Sequence, residues 1–340
     1  MRRNQLDKHN VLITTPQPLR ADVLSEEALA ELRRFAHVTL NEDGRNWTAQ
    51  EIGEKLPGNE AMLASWDLTQ IRLTSDVLAG ADRLRIIAYA AGSVKPWITE
   101  AVYERGIVVA HAASRIADSV AEYTLLLALL GLRRPHDIGR GIQSGTPQTG
   151  RGLPTYDLAG KKIGLLGMGY VGQRTASLFR AVGAEVWAYD PYLPSERAAE
   201  LGIRTAKLEE LLAQCEVVSV HLPSTEETHH MLGARQLALI RDGAIFINTA
   251  RPWVVDQEAL IKELATGRFW AALDVTEPDP APPDHPLRRM DNVFYTPHIA
   301  GPTTEARREL MGLMIGEVKR FFDGQPLQFQ ITLEKLAIMA

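Results

Sequence analysis

Four ionisable residues in the second half of the chain stand at or just beyond short apolar runs. Arg251 follows Phe246-Ile247-Asn248-Thr249-Ala250, and Asp274 closes Ala271-Ala272-Leu273. Asp279 lies five residues further on in a proline-rich stretch, and His298 follows Tyr295-Thr296-Pro297. Read as parallel strands, such runs end at one edge of a sheet, the edge at which open α/β sheets bind ligands. An arginine there can grip a carboxylate through two parallel hydrogen bonds and polarise a neighbouring carbonyl. A histidine can give a proton to a developing alkoxide and take it back in reverse. A carboxylate beside the imidazole stabilises its protonated form. The set suits hydride transfer to a 2-keto acid. Each residue also has a plainer reading: a helix-entrance arginine, a satisfied loop histidine, a solvated loop charge.

Hydride transfer needs a carrier, and Lys161 to Asp190 reads as its cradle: KKIGLLGMGYVGQRTASLFRAVGAEVWAYD. An apolar run, Ile163 to Leu166, enters Gly167-Met168-Gly169-Tyr170-Val171-Gly172. A helical pattern follows to Val182, Gly183 ends it, and a second run, Val186 to Tyr189, stops at Asp190. Gly167 permits the tight turn, Gly169 lets a pyrophosphate approach the backbone, and Gly172 lets the helix pack against the sheet. The helix N-terminus offers amides and a positive dipole end to phosphates. Asp190, 18 residues after Gly172, is placed to take both ribose hydroxyls of an adenosine and to repel a 2′-phosphate. NAD is therefore expected rather than NADP.

The remaining composition narrows the class. A chain of 340 residues suggests about two domains. A net charge of -5 and no Lys/Arg-rich run argue against nucleic acid or an anionic membrane as partner. The apolar stretch from Tyr123 to Leu132 is too short to span a bilayer, and MRRNQLDKHN has no apolar core of a secretory signal. The single cysteine, Cys215, lies in an apolar run and reads as an inert core thiol. A cytoplasmic protein is expected. His229 and His230 have no further ligand set, so no metal site is expected. His221 reads as a strand-end structural residue near the cofactor.

In chain order, residues 1–10 read as a polar leader and Val11 to Thr14 as a strand, broken by Pro16 and Pro18. Ser25 is a candidate N-cap for a helix running toward Phe35. Ala61 to Ala64 and Leu84 to Tyr89 read as buried strands with helix patterns between them. Ala90-Ala91-Gly92-Ser93 follows the second of these strands, and Gly92 permits close backbone approach or serves as an ordinary turn glycine. Gly106 to Ala110 reads as a strand, Ser119 to Leu132 as a helix apolar nearly all round, and residues 139–157 as a long loop. Glu216 to His221, Gly243 to Asn248, Trp270 to Asp274 and Asn292 to Tyr295 complete about six parallel strands with the two of the glycine unit. Leu208 to Leu212, Ala234 to Ile240 and Asp256 to Leu264 supply the helices between them. A last helix runs from near Thr303 to Phe322, and the tail returns to the first domain.

HLPSTEETHH at 221–230, NTARPWVVD at 248–256, LDVTEPDP at 273–280 and TPHIAG at 296–301, with GMGYVG and SVAE, resemble the D-isomer-specific 2-hydroxyacid dehydrogenase family over most of the chain. The resemblance implies two doubly wound α/β domains, a Rossmann NAD-binding domain (116–305) inserted into a flavodoxin-like substrate domain (1–115 plus 306–340). It implies NAD(P)-dependent interconversion of a 2-keto acid and a D-2-hydroxyacid, usually by homodimers, with Asp190 favouring NAD. Position by position, Arg251 matches the substrate-binding arginine, His298 the acid/base and Asp274 an acid near the nicotinamide carboxamide. Tyr170, Val171, Thr228, Thr249 and Ala250 match cofactor contacts. Ala91, Gly92 and Ser93 match the loop that holds the substrate carboxylate.

Three departures stand out. The family's catalytic acid is usually glutamate, but its spacing, 19 residues before the histidine, lands on Asp279. The shorter side chain predicts a backbone shift or a bridging water at His298, and Glu277 is a rival partner that the spacing disfavours. Pro252 replaces a glycine after Arg251, which predicts an altered presentation of that arginine. His111 and Ile116 replace asparagines, and Lys95 replaces an acid. These changes leave the substrate open, with Trp47, Trp66, Trp97 and His111 as candidates to line its pocket. A second function class follows from the first two departures: an NAD-sensing interaction protein on the same fold.

Overall fold

The computed structural model describes residues 8–145 and 154–339. The chain divides into two compact units, Met1–Ile116 with Pro302–Ala340, and Ala117–Gly301, so the second is inserted into the first.

Five strands come from the N-terminal segment: β1 (His9–Ile13), β2 (Ala36–Leu40), β3 (Ala61–Ala64), β4 (Ile86–Tyr89) and β5 (Val108–His111). Seven come from the inserted unit: β6 (Lys162–Leu166), β7 (Glu185–Tyr189), β8 (Arg204–Thr205), β9 (Val217–Val220), β10 (Ile245–Asn248), β11 (Trp270–Leu273) and β12 (Val293–Tyr295). A short β13 (Gln330–Ile331) closes the set. Among the described residues they form two sheets, ordered β13-β5-β4-β3-β1-β2 and β12-β11-β10-β9-β6-β7-β8. All pairings are parallel except β13 on β5. The first order is flavodoxin-like with an added antiparallel edge, and the second is the doubly wound Rossmann order with one strand more.

Both sheets are covered on both faces, which is why their strands are continuous apolar runs. In the inserted unit Leu166, Val218, Val220, Phe246, Ala271 and Leu273 belong to one core. Their neighbours Ile163, Leu165, Val217, Ile245, Ile247, Trp270 and Ala272 belong to the other. That alternation is the period of two of a pleated strand. Gly164, on β6, faces Leu211 and Cys215 so closely that a Cβ would collide with the leucine. Cys215 is fully buried, and burial pushes its thiol up to about 12, consistent with an inert core residue. In the first unit the helix Thr304–Phe322 lays Leu310, Met311, Met314, Ile315 and Val318 on one face of the sheet. Its buried Glu317 accepts the amides of Gln328 and Phe329, each at 2.9 Å, and so turns the tail back toward β13.

Several elements differ from the sequence expectation. His9 and Asn10, assigned to the polar leader, pair with Ala36 and His37 in β1. His9 is accommodated because its ring stacks on Phe322 at 3.6 Å and bonds Glu60. Between β3 and β4 there is only a three-residue 3-10 turn, Trp66–Leu68, and further turns. The buried leucines there, Leu68, Leu73 and Leu78, are five apart, a spacing that cannot keep them on one helical face. Residues 139–143, assigned to a loop, continue the helix Pro135–Gln143; proline is at home in a first helical turn, where its missing N–H costs no bond. The rest of that loop partly lies outside the described residues. β2, β8 and the helix Ala49–Lys55, with its Thr48/Glu51 capping box, were not anticipated. Ser25 caps its helix as expected, accepting the amide of Ala28.

Candidate active site

The glycine turn is built as the spacing demands. Gly167 leaves β6 at φ +96°, and a Cβ there would sit 2.7 Å from the carbonyl oxygen of His221. A Cβ on Gly172 would land on the carbonyl oxygen of Gly167. At Gly169, the N-cap of the helix Tyr170–Ala181, a Cβ would meet nothing within 4 Å, and no side chain caps the helix. The first and third glycines are thus required by the fold, and the second opens space at a helix N-terminus, which suits a pyrophosphate.

Asp190 stands at the end of β7, beside that turn. Its Oδ2 accepts the Met168 amide at 2.7 Å and its Oδ1 the Tyr192 amide at 2.8 Å. The carboxylate is fixed, with lone pairs left over for a ribose. Thr228 is buried and its hydroxyl donates to the Pro223 carbonyl at 2.6 Å, shaping the loop after β9. Tyr170 is 46% exposed and Val171 half-buried at the helix start. Thr249 is buried against Thr124, while Ala250 donates its amide to Asn248.

His221 ends β9 opposite the glycine turn, and its amide donates to Leu166 at 2.7 Å. Both ring nitrogens are buried without a hydrogen-bond partner among the described residues, and burial lowers the ring's pKa to about 3. A neutral imidazole with both polar atoms unmatched, on the residue whose carbonyl packs against Gly167 of the turn, fits a site completed by a polar ligand such as a dinucleotide.

The four ionisable residues come from the strand ends. His298 Nδ1 lies 2.6 Å from Asp279 Oδ2, so the contact is direct and no bridging water is needed. The loop that brings the shorter acid to the histidine is tied down by Gln257, which bonds the Glu277 amide at 2.8 Å, and by Thr276 on the Pro278 carbonyl. Arg251 is half-buried and donates to its neighbour's carbonyl, Ala250, at 2.7 Å. Burial lowers its pKa and the charge of Asp279 opposes that shift, which puts the guanidinium within the field of the same carboxylate. Pro252 occupies the first position of the 3-10 turn Pro252–Val254, where a missing N–H costs nothing, and Arg251 is its N-cap.

Asp274 has a role that sequence reasoning missed. It is fully buried, and its carboxylate accepts from Thr296 Oγ1 at 2.6 Å and from the amides of Ile299 and Ala300 at 2.9 and 2.8 Å. Its main-chain carbonyl accepts the His298 amide at 2.8 Å. Thr296 in turn accepts from Tyr123 at 3.1 Å. These bonds hold His298 at φ +58°, a left-handed conformation that a non-glycine residue keeps only when its surroundings impose it. The signal was present as an aspartate ending a strand that will be covered.

In the first unit, Ala91, Gly92 and Ser93 follow β4 at the C-terminal edge of its sheet. His111 Nδ1 donates to the Gly92 carbonyl at 2.8 Å and is 2% exposed, so it braces this loop from beneath. Trp47 and Trp97 are core residues, 4% and 1% exposed. Packing claims them, against the expectation that they line a pocket. His229 and His230 stack at 4.1 Å, and His229 also meets Trp253.

Fold and site together define a dinucleotide-binding α/β protein. A family model described as "D-isomer specific 2-hydroxyacid dehydrogenase, NAD binding domain" matches residues 124–300. The chain is 32% identical over 93% of its length to a D-3-phosphoglycerate dehydrogenase from Archaeoglobus fulgidus, of which it spans 59%. It is 31% identical over 89% of its length to a glyoxylate reductase from Korarchaeum cryptofilum, covering 91% of that protein. A solved structure, the TT0316 protein from Thermus thermophilus, superposes with a TM-score of 0.74 at 31% identity, covering 95% of this chain and all of that one. The chain belongs to the D-isomer specific 2-hydroxyacid dehydrogenase family, and NAD is its cofactor.

Proposed function

We propose that this protein reduces a small 2-keto acid to the D-2-hydroxyacid, and runs the reverse oxidation. The inserted unit would hold NAD, and the same unit carries Arg251, Asp279 and His298 in the loops that follow its strands. The observation that carries the reading is the direct His298–Asp279 pair, with Arg251 in the field of the same carboxylate. With Nδ1–H given to Asp279, the ring's Nε2 is the atom left for the substrate oxygen. His298 protonates the oxygen that becomes the hydroxyl and recovers the proton in oxidation. Arg251 binds the carboxylate and polarises the carbonyl. The hydride would come from, or go to, the nicotinamide of bound NAD. Gly167, Gly169 and Gly172 would admit its pyrophosphate, Asp190 would take the ribose, and Tyr170, Val171, Thr228, Thr249 and Ala250 would complete its surroundings, with Asp274 acting from behind, through the turn that carries His298.

Relatives named for glyoxylate and for phosphoglycerate set the first substrates to try. The test is NADH consumption with glyoxylate, hydroxypyruvate, its 3-phosphate and pyruvate, in parallel with His298→Ala. A general acid contributes about 10² to 10⁴, so a variant within a few-fold of wild type removes the role. NADH binding without turnover on any of these acids would favour an NAD-sensing protein instead. We further propose a homodimer in the cytoplasm, its contact made where Leu126 and Leu129 expose apolar surface along one helix; no helix among the described residues is long and apolar enough to cross a membrane.

A further inference from the structure

The sheet order places β6 between β7 and β9, so the loops that follow those two strands flank the glycine turn. A side-chain bond ties the flanking loops together. Tyr192, two residues past Asp190, donates its hydroxyl to Oε2 of Glu227 at 3.0 Å. The same tyrosine's amide is bonded to Asp190, which in turn holds the Met168 amide of the glycine turn. An unbroken series of bonds therefore runs from the glycine turn, through the carboxylate at the end of β7, to a second carboxylate on the far loop. The phenol registers both acids. Its pKa is raised first by the bond and charge of Glu227, and least by Asp190.

Glu227 is not a loose surface charge. It sits in the 3-10 turn Glu226–Thr228, which is locked by Thr228 Oγ1 on the Thr225 amide at 2.9 Å and on the Pro223 carbonyl. Tyr192, by contrast, leaves 62% of its surface in solvent, although a free aromatic ring would gain by burial. Arg197, on the helix that follows, has its guanidinium engaged by Glu200 at 2.7 Å and Gln173 at 3.0 Å. The ribose end of the cradle thus presents two oriented carboxylates, and the cation nearby in sequence is already paired.

We propose that Glu227, aimed by Tyr192, is a second determinant of cofactor choice, adding its charge to that of Asp190 against a 2′-phosphate. The inference rests on the adenosine ribose lying at Asp190. A 2′-phosphate carries close to two negative charges, and its repulsion by an exposed carboxylate several ångströms away is modest and screened by salt.

Dissociation constants for NADH and NADPH, measured on the full-length protein by fluorescence titration, test it, with AMP and adenosine 2′,5′-bisphosphate as calorimetric probes. Glu227→Gln keeps an acceptor for the phenol and removes the charge. It should lower the NADPH-to-NADH ratio of constants by about 3- to 10-fold at low salt, with the gain shrinking at about 0.5 M salt. Tyr192→Phe, which leaves Glu227 charged but unaimed, should lower the ratio by less. A ratio unchanged within about twofold in Glu227→Gln, or equal weakening of both dinucleotides, overturns the proposal. Wild-type protein that binds neither dinucleotide would show instead that the cofactor reading had failed, and the proposal would fall with it.

Discussion

His298 and Asp279 meet through a single short hydrogen bond, 2.6 Å from Nδ1 to Oδ2, although the acid is one methylene shorter than the glutamate its family usually carries. The loop, not the side chain, closes the distance. Asp279→Asn should therefore lower kcat by about 10- to 100-fold, because it replaces a charge-assisted bond with a weaker one. Asp279→Glu should also lose activity, by a few-fold, since the longer side chain has no gap to fill. Steady-state rates of both variants decide the point. A faster Asp279→Glu enzyme would mean that the aspartate contact is not the productive one.

Asp274 supports the histidine from behind. Removing its carboxylate leaves the buried Ala300 amide without an acceptor, at about 1–3 kcal/mol, and frees the part-buried Ile299 amide and Thr296 hydroxyl to be partly satisfied by water. Asp274→Ala should cost roughly 2–4 kcal/mol in urea unfolding and most of the activity. Thr296→Val is the milder test. It removes one bond to Asp274 and the acceptor for Tyr123, so it should lower kcat several-fold at a cost of about 1 kcal/mol. Full activity in Thr296→Val would show that the turn holds its shape without this link.

The three glycines of the turn separate fold from binding. Gly172→Ala puts a methyl on a backbone oxygen that cannot yield, so the protein should melt well below wild type. Gly169→Ala meets nothing in the protein itself. It should melt normally yet bind NADH at least about 10-fold more weakly, because the methyl occupies the phosphate's approach. A normal NADH affinity in Gly169→Ala would place the pyrophosphate elsewhere.

The exposed face of the helix Ala113–Arg133 offers a fourth test. Leu126 and Leu129 are 53% and 40% exposed, and with Leu130, Tyr156 and Leu158 they line an apolar groove of about 450 Å³. Side chains of this kind on a helix that is apolar nearly all round suit a second copy of the chain. Leu126→Lys with Leu129→Glu should shift a dimer toward monomer in light scattering without unfolding it. An unchanged mass would exclude this face as the interface.

The glycine unit and the ionisable strand ends were legible because each depends on local spacing. A strand, a turn of fixed glycines and an acid 18 residues on leave little freedom once the chain is an open sheet. What was not legible depends on contacts remote in sequence. His9 is a polar residue inside a strand only because Phe322 and Glu60 come to meet it. Trp97 cannot be told from a pocket residue until the core claims it. Asp274 reads as one more acid near a cofactor until Thr296, Ile299 and Ala300 are folded over it. The Tyr192–Glu227 bond joins residues 35 apart by no pattern that periodicity records.

His111 couples stability to pH. It is buried under the loop at 91–93, and burial, reinforced by Lys335 and opposed by the Gly92 carbonyl, lowers its pKa from 6.5 to about 4. His221, also desolvated, is lowered to about 3. In the unfolded chain both titrate near the ordinary value, so below about pH 6.5 the unfolded state binds more protons and is favoured. The contribution is therefore complete above about pH 6.5 and is lost as pH falls toward about 4, amounting to about 3 kcal/mol for His111 at that limit. Urea midpoints of the wild type should fall steeply between about pH 6.5 and 4. His111→Asn removes one titrating group and should flatten that limb, while near pH 8 it costs about 1 kcal/mol for a weakened bond to Gly92. An acid limb as steep in His111→Asn as in wild type would assign the loss to other groups, His221 first, and His221→Asn would then be the variant that flattens it.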